Sequence, residues 1–437
     1  MLHLESPEIR KCLLRGKFGL EKEGLRVLED GTMAHTPHPF PDSGHITRDF
    51  SENQTEINTS AEPSAEGAVL ALEAYGRQMQ RRLGTMPVRE LIWPFSNPPF
   101  LRGEEDIPIA QFTGRNAHKT SYREYLSDRY GRYKMTFSGI HVNYSFSEEV
   151  LKKEFALRGS GRSRSFRDSF YLELAEKAAA YGWLLVILTA ASPVLDESYF
   201  LRKGPEDPAA GRDVFSGMAS VRCSELGYWN AFAPVFDYTN IQRYSDGIRK
   251  YVEEGILFSA SELYYPVRLK PKGENSLEGL KEEGVDHIEL RMFDLNPLDK
   301  AGLDVRDVQF AQLFLVWLAC LPRRVMTPLD QVLAVQNFKN AAHYDLETVR
   351  IEMRGLHPAQ DSLSAQEAAV LLLQQMSEFF RTLAADLPEW VFDVLAFQRD
   401  KLIHPGHRYA VRVLERFSGT FLEKGIARAG ELQEMCL

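Results

Sequence analysis

Cysteine is scarce in this chain of 437 residues: Cys12, Cys223, Cys320 and Cys436 lie far apart and form no CxxC pair. That spacing excludes a zinc knuckle and a disulfide framework, and it fits a reducing, cytoplasmic setting. A secretory leader is not expected, because "MLHLESPEIRKCLL" has no basic start followed by a long apolar core. Long apolar runs are also lacking. The nearest, "AAAYGWLLVILTAASPVL" (178–195), is marginal in length for a bilayer span and is interrupted by Gly182, Thr189, Ser192 and Pro193. Because "FRDSFYLELAEK" continues the same helical pattern ahead of it, a central buried helix is the expectation. Positive charge is not in excess. The formal net charge of -9 argues against a polyanionic partner. One basic stretch, "RGSGRSRSFR" (158–167), has no aromatic platform beside it and reads as an exposed loop. Neither GxxxxGK[ST] nor a strand-linked GxGxxG is present, so any bound nucleotide must be held by metals and scattered basic side chains. No internal repeat or low-complexity tract occurs, which excludes a solenoid.

What is present is a set of short alternating segments separated by helical periodicity. Alternation predicts strands near 18–28, 51–58, 136–146, 262–269 and 286–292, and the 3.6-residue pattern predicts helices near 63–83, 168–191, 305–321, 364–385 and 408–434. "LPEW" (387–390) and "HPGH" (404–407) mark breaks between the late helices. Strands early, helices inserted, strands again and a helical last third predict an α+β body with a mostly antiparallel sheet. A single body over 1–437 is expected, its core near 15–320 and a helical C-terminal region near 321–437.

The polar faces of these strands carry the chemistry. In "FGLEKEGLRV" (18–27), Glu21 and Glu23 share a face and repel each other. The ordinary reading is a solvated face neutralised by Lys22 and Arg26. Other strands weigh against it. In "DFSENQTEINT" (49–59), Glu52, Gln54, Glu56 and Asn58 share one parity. Asp49 lies seven residues from Glu56, so either a bulge intervenes or Asp49 sits in the preceding turn. "GIHVNYSF" (139–146) places His141 and Asn143 on one face, and "DHIELRMFD" (286–294) does the same for His287, Glu289 and Arg291. Carboxylates in this number with one imidazole and no cysteine suit Mg2+ or Mn2+. Such cations mostly serve phosphate chemistry, with Arg222, Arg268 and Arg291 as candidate anion-binding arginines.

The segments "GLEKEGLRV", "ITRDFSENQTEINT", "IWPFSNPPF", "YREYLSDRYG", "FSGIHVNYSF", "VRCSELGYWN", "ELYYPVRLK" and "HIELRMFDLNPLDKAG" occur in this order. In that order they resemble the bacterial glutamate-cysteine ligases, including the N-terminal part of the bifunctional glutathione-making enzymes. The resemblance implies a glutamine synthetase-like body, whose curved antiparallel sheet forms a funnel for ATP and Mg2+ or Mn2+. It assigns Glu21, Glu23, Asp49, Glu56, His141 and Glu289 to the metals, and Arg291 and Arg123 to the transferring phosphoryl group. Arg268 and Lys270 are implied as ATP contacts; Phe50, Tyr122, Leu126, Arg222, Tyr228 and Tyr264 as the pocket for the amino-acid acceptor. The implied reaction joins L-cysteine to the γ-carboxylate of L-glutamate through γ-glutamyl phosphate, with neither nucleic acid nor membrane as partner. Two alternatives stay open: a ligase of the same fold with another amine acceptor, and a non-catalytic metabolite-binding relative. The second ATP-using domain of the bifunctional enzymes is lacking, so glutathione itself is not the expected product. The C-terminal helices either mediate dimerisation or brace the funnel, and the sequence does not decide oligomeric state.

Overall fold

The computed structural model describes residues 2–41, 43–158, 161–202, 204, 208, 211–356 and 360–437. Its centre is an antiparallel sheet whose strands are β1 (Gly16–Val27), β2 (Ile46–Arg48), β3 (Gln54–Asn58), β4 (Leu91–Ile92), β5 (Gly139–Phe146), β6 (Val267–Lys270) and β7 (His287–Asp294). The order is β2-β3-β1-β5-β7-β6, with β4 paired to the end of β1. The two outer strands do not meet, so the sheet is open rather than a closed barrel.

One face is covered by helices because the alternating apolar residues need burial. Phe18, Leu20, Ile140, Val142, Tyr144, Ile288 and Leu290 are each almost fully buried there. Against them lie α1 (Ala65–Gly84), α3 (Ser163–Tyr181), α4 (Trp183–Thr189) and α5 (Val305–Cys320). The other face carries α2 (His118–Tyr130) near its mouth. The helical C-terminal region holds α6 (Pro328–Ala341), α7 (Ala365–Thr382), α8 (Trp390–Ile403), α9 (Tyr409–Phe417) and α10 (Phe421–Glu434).

Several expected elements change where local chemistry overrides periodicity. The helix expected over 168–191 breaks at Gly182, where Phe338 and the Ala178 carbonyl come so close that no Cβ fits. Together α3 and α4 remain the buried central helix, and among the described residues no helix is long and apolar enough to cross a membrane. The helix expected over 408–434 is two, separated by Gly419 at φ +86°. The strand expected over 51–58 is shorter, because the chain reverses between β2 and β3 with Asp49 N–H donating to the Gln54 carbonyl. In "RGSGRSRSFR", α3 starts at Ser163, and Arg167 donates to the Val285 carbonyl at 2.8 Å and the Asp286 carbonyl at 3.0 Å. The second half of that stretch is therefore helix docked on the sheet, while Gly159 and Ser160 lie outside the described residues.

The C-terminal helices brace the body. Asp307 on α5 accepts from Lys401 and Gln398 of α8, both at 2.8 Å, and from the Tyr409 hydroxyl of α9 at 2.9 Å. Phe417 and Phe421 meet Phe95 edge to face at ring-centroid distances of 4.9 and 4.8 Å, behind β4.

Candidate active site

Pairing of the strands brings the acidic positions together. On β1, Glu21 lies opposite His141 of β5, and Glu23 lies opposite Glu56 of β3. On the far side of β5, Asn143 faces Glu289 of β7. Between the pairs Val142↔Leu290 and Ile140↔Phe293 the register slips, so Arg291 and Met292 together oppose His141. This is a β-bulge, and it sits beside the acidic cluster. Strand alternation ends there, which is why Arg291 belongs to the polar face and Phe293 to the core.

Ligand atoms of Glu21, His141 and Glu289 lie within 4.8 Å of one another. The His141 Nδ1 is 3.0 Å from Glu21 Oε2 and 3.6 Å from Glu289 Oε1, and its Nε2 is 3.7 Å from Glu23 Oε1. Asn143 donates to Glu21 Oε1 at 3.0 Å, and the Gly139 N–H donates to Glu23 Oε2 at 2.7 Å. Side-chain exposure rises from 0% at Glu289 through 10% at Glu23 and 24% at Glu21 to 41% at Asp49, so the carboxylates descend from a mouth to a floor. Asp49 occupies the turn before β3, the second of the two placements left open by the sequence.

Electrostatics divide the carboxylates into two groups. Glu289 is held well below the usual carboxylate range: burial opposes ionisation, but Arg291 at 3.2 Å and Lys270 at 3.1 Å outweigh it. Glu21 is also lowered, since its hydrogen bond from His141 and the charge of Lys270 overcome burial and the nearby Glu289. Glu56 is pushed well above its usual value by burial and by Asp49, Glu21 and Glu23, and burial likewise raises Glu23. Among the described residues, the Nε2 of His141 has no hydrogen-bond partner. A lone-pair donor without a partner, surrounded by carboxylates that repel one another, fits one or more divalent cations.

Every other residue predicted for the site lines a cavity of about 290 Å3 above this cluster, with Glu289 beneath. Arg222 reaches it from the turn after Ser220 and donates to the Arg291 carbonyl at 2.8 Å. Gly139 makes room for it, because a Cβ there would lie 2.2 Å from the Arg222 Cζ. Tyr228 and Tyr264 meet edge to face at 5.1 Å, and Arg291 stands 5.6 Å over the Tyr264 ring. Arg123 rises from α2, 4.0 Å from Asp49, close to Phe50, Tyr122 and Leu126 in the same wall. Arg268 donates to the Leu263 carbonyl, which ties β6 to the loop carrying Tyr264.

Sequence reading missed Lys134, Met135, Phe137, Ser261, Glu262 and Asn275, which line the same cavity. Of these, Glu262 accepts from the Tyr130 hydroxyl at 2.6 Å and pairs with Arg129 at 3.2 Å. It sits in a 3-10 turn, Ala260–Glu262, where alternation predicted a strand, so no pattern marked it. Lys22 and Arg26 do not neutralise Glu21 and Glu23. Lys22 points to the opposite face, where it donates to the Ala301 carbonyl at 2.8 Å, and Arg26 is fully buried against Glu90 at 2.6 Å.

An open antiparallel sheet with one helical face and one face of converging carboxylates, arginines and tyrosines defines the class of architecture in which a concave polar site sits on the sheet. The glutamate-cysteine ligase family model matches residues 1–252 and 232–341, and the chain belongs to that family. It is 34% identical over 421 residues to the bifunctional glutathione biosynthesis protein of Listeria monocytogenes serotype 4b, across 94% of this chain and 53% of that protein. The glutamate–cysteine ligase of Clostridium acetobutylicum is 35% identical over 362 residues, across 72% of this chain and 74% of that one. A crystal structure of a glutamate–cysteine ligase from Francisella tularensis in complex with AMP superposes with a TM-score of 0.83 at 21% identity, over 97% of this chain and 89% of that one. The chain spans about half the length of the bifunctional relatives it matches.

Proposed function

We propose that this protein ligates L-cysteine to the γ-carboxylate of L-glutamate with ATP as co-substrate, the first step of glutathione biosynthesis, and that one catalytic body does so. The observation that carries the reading is the convergence of Glu21, His141 and Glu289, flanked by Lys270 and Arg291, at the floor of a cavity walled by arginines and tyrosines. Family membership supports it.

Glu21, Glu23, Asp49, Glu56, His141 and Glu289 are the residues to hold Mg2+ or Mn2+. When bound, those cations offset negative charge on the polyphosphate and on the phosphoryl group in flight. The chain's own groups do the positioning. Arg291 is fixed from two sides, by Glu289 and by the ring of Tyr264, so its guanidinium is oriented before substrate arrives. Arg123 lines the same cavity, and in this reading the two arginines stabilise the γ-phosphoryl oxygens. Lys270 and Arg268 line the same wall as ATP contacts. A second, larger trough of about 810 Å3 shares Glu21 with the first and is lined by Lys17, Arg167, Lys272 and His287. It offers room for the nucleotide beside the carboxylates, with Lys17 and Lys272 in its lining, while Arg167 is paired there with Glu148 and Asp286.

In the first step an oxygen of the glutamate γ-carboxylate attacks the γ-phosphorus and ADP leaves. In the second, the acceptor amine attacks the acyl carbon and phosphate leaves. Arg222, buried under Gly139, supplies a fixed cation for a substrate carboxylate. Phe50, Tyr122, Leu126, Tyr228 and Tyr264 surround a small side chain and keep water from the acyl phosphate.

The test is ADP release with Mg-ATP and glutamate, with and without cysteine, and the product mass. Cysteine-dependent release with γ-glutamylcysteine formed supports the proposal. Glutamate-dependent release that cysteine does not accelerate assigns the chain to another amine acceptor. No ATP use in either mixture overturns the reading.

A further inference from the structure

The sheet has a third cavity, on the face opposite the carboxylate cluster. It measures about 160 Å3 and lies between β1, α1, the turn after β7 and the end of α10. Its walls include Leu72, Met79, Ile57 and Ile92. Into it projects Lys22, the residue between Glu21 and Glu23, which strand alternation sends to this side.

Three features mark it as more than a packing gap. An ammonium carries three donors, and the hydrogen bond of Lys22 among the described residues is the one to the Ala301 carbonyl at 2.8 Å. Of the neighbouring acids, Glu73 is paired with Lys300 at 3.0 Å and Arg77 at 3.5 Å, while Asp299 accepts from the Ala301 N–H at 2.8 Å and acts on Lys22 through space. Gly76 lines the cavity from the interior of α1, where glycine costs a helix about 1 kcal/mol relative to alanine. A Cβ added at Gly76 meets nothing within 4 Å, so the glycine is not there to relieve a clash. What its missing side chain leaves is open volume.

We propose that this cavity, which shares Glu23 with the lining of the carboxylate site but opens on the other face of the sheet, is a small-molecule site for a monoanion with a short apolar tail. The anionic head pairs with Lys22, and the tail covers Leu72, Met79 and Ile92. A purely apolar occupant leaves the remaining donors of the ammonium without partners, and a dianion meets the Asp299 carboxylate, which has no ion pair among the described residues. A monocarboxylate satisfies both constraints. The occupant touches β1 at the residue between two carboxylates of the opposite face.

The test is calorimetric titration of the full chain with octanoate, without ATP, amino acids or divalent cations, so that it does not depend on the proposed ligase reaction. The expected result is one octanoate per chain, binding at least tenfold weaker in Lys22→Met and lost in Gly76→Leu, whose side chain fills the volume. The neutral probe 1-octanol is expected to bind the parent and Lys22→Met alike. Gly76→Leu keeps the test sound if Lys22→Met folds poorly, because it improves helix propensity and meets no obstacle. Absence of octanoate binding at millimolar concentration, or binding unchanged in either variant, overturns the proposal.

Discussion

Replacing two carboxylates of one cluster by amides is expected to shift stability in opposite directions. Glu23 and Glu56 are directly opposed across β1 and β3, which puts their side chains about 5 Å apart. At an effective dielectric of about 20, two full charges at that separation repel by about 3 kcal/mol. Part of this is relieved by proton uptake at Glu56, whose affinity for a proton is raised by burial and then by Asp49, Glu21 and Glu23. The metal-free Glu56→Gln protein is therefore expected to gain about 1–2 kcal/mol at neutral pH, seen as a melting temperature a degree or two higher in EDTA. Because the folded protein holds that proton more tightly than the unfolded chain, the parent loses stability as pH rises above about 4.5, and the advantage of the amide grows in the same direction. Glu289 is the reverse case. Its carboxylate is stabilised by Arg291, Lys270 and His141, so its contribution is present above about pH 4.5 and fades as pH falls toward its lowered value. Glu289→Gln leaves two cations without their partner and is expected to cost about 3–5 kcal/mol. Melts from about pH 3 to 8 in EDTA, followed by Mg2+ titration and turnover assays, check both halves. Metal-dependent turnover is expected to fall by at least a hundredfold in each variant. A Glu56→Gln protein less stable than its parent at pH 8 refutes the electrostatic reasoning.

Gly139→Ala places a methyl group against the Arg222 guanidinium. Steady-state kinetics are expected to show an amino-acid KM raised at least tenfold with the melting temperature nearly unchanged, and an unaltered KM defeats the assignment of Arg222. Arg26→Met strands the fully buried Glu90 and is expected to cost about 3–5 kcal/mol by urea unfolding, whereas Arg26→Met combined with Glu90→Met costs much less. Equal losses in the two proteins contradict the pairing. Burial lowers His38 to about 4, so the unfolded chain takes its proton first and stability falls as pH drops from about 6.5 toward 4. His38→Asn is expected to remove ~1–2 kcal/mol of that slope, measured as the difference between the two melting curves across the interval.

Chemical type was legible in the sequence; position often was not. The alternation in "FGLEKEGLRV" was enough to set Glu21 and Glu23 on one face and Phe18 and Leu20 on the other, because side-chain direction in a strand depends on parity alone. The same local rule marked His141, Asn143 and Glu289, and family segments supplied the cavity residues as expectations. Parity failed where the backbone departs from a regular strand. Asp49 sits in a turn, Glu262 in a 3-10 turn, and Phe293, of the same parity as Glu289 and Arg291, turns to the core after the bulge.

Pairing was beyond any local pattern. That Glu23 faces Glu56, that Glu289 lies under both His141 and Lys270, and that Arg26 is buried against Glu90 are facts of strand register and chain crossing. The break at Gly182 and the seat of Arg222 under Gly139 depend on atoms far away in the chain. The sequence by itself determined the antiparallel α+β character, the acidic polar faces and the family, because composition, periodicity and ordered motifs are properties of neighbours along the chain. Only the tertiary structure decided which charges meet, which are raised or lowered, and that Lys22 belongs to a cavity behind the sheet, because Coulomb energy and burial are set by distances in space.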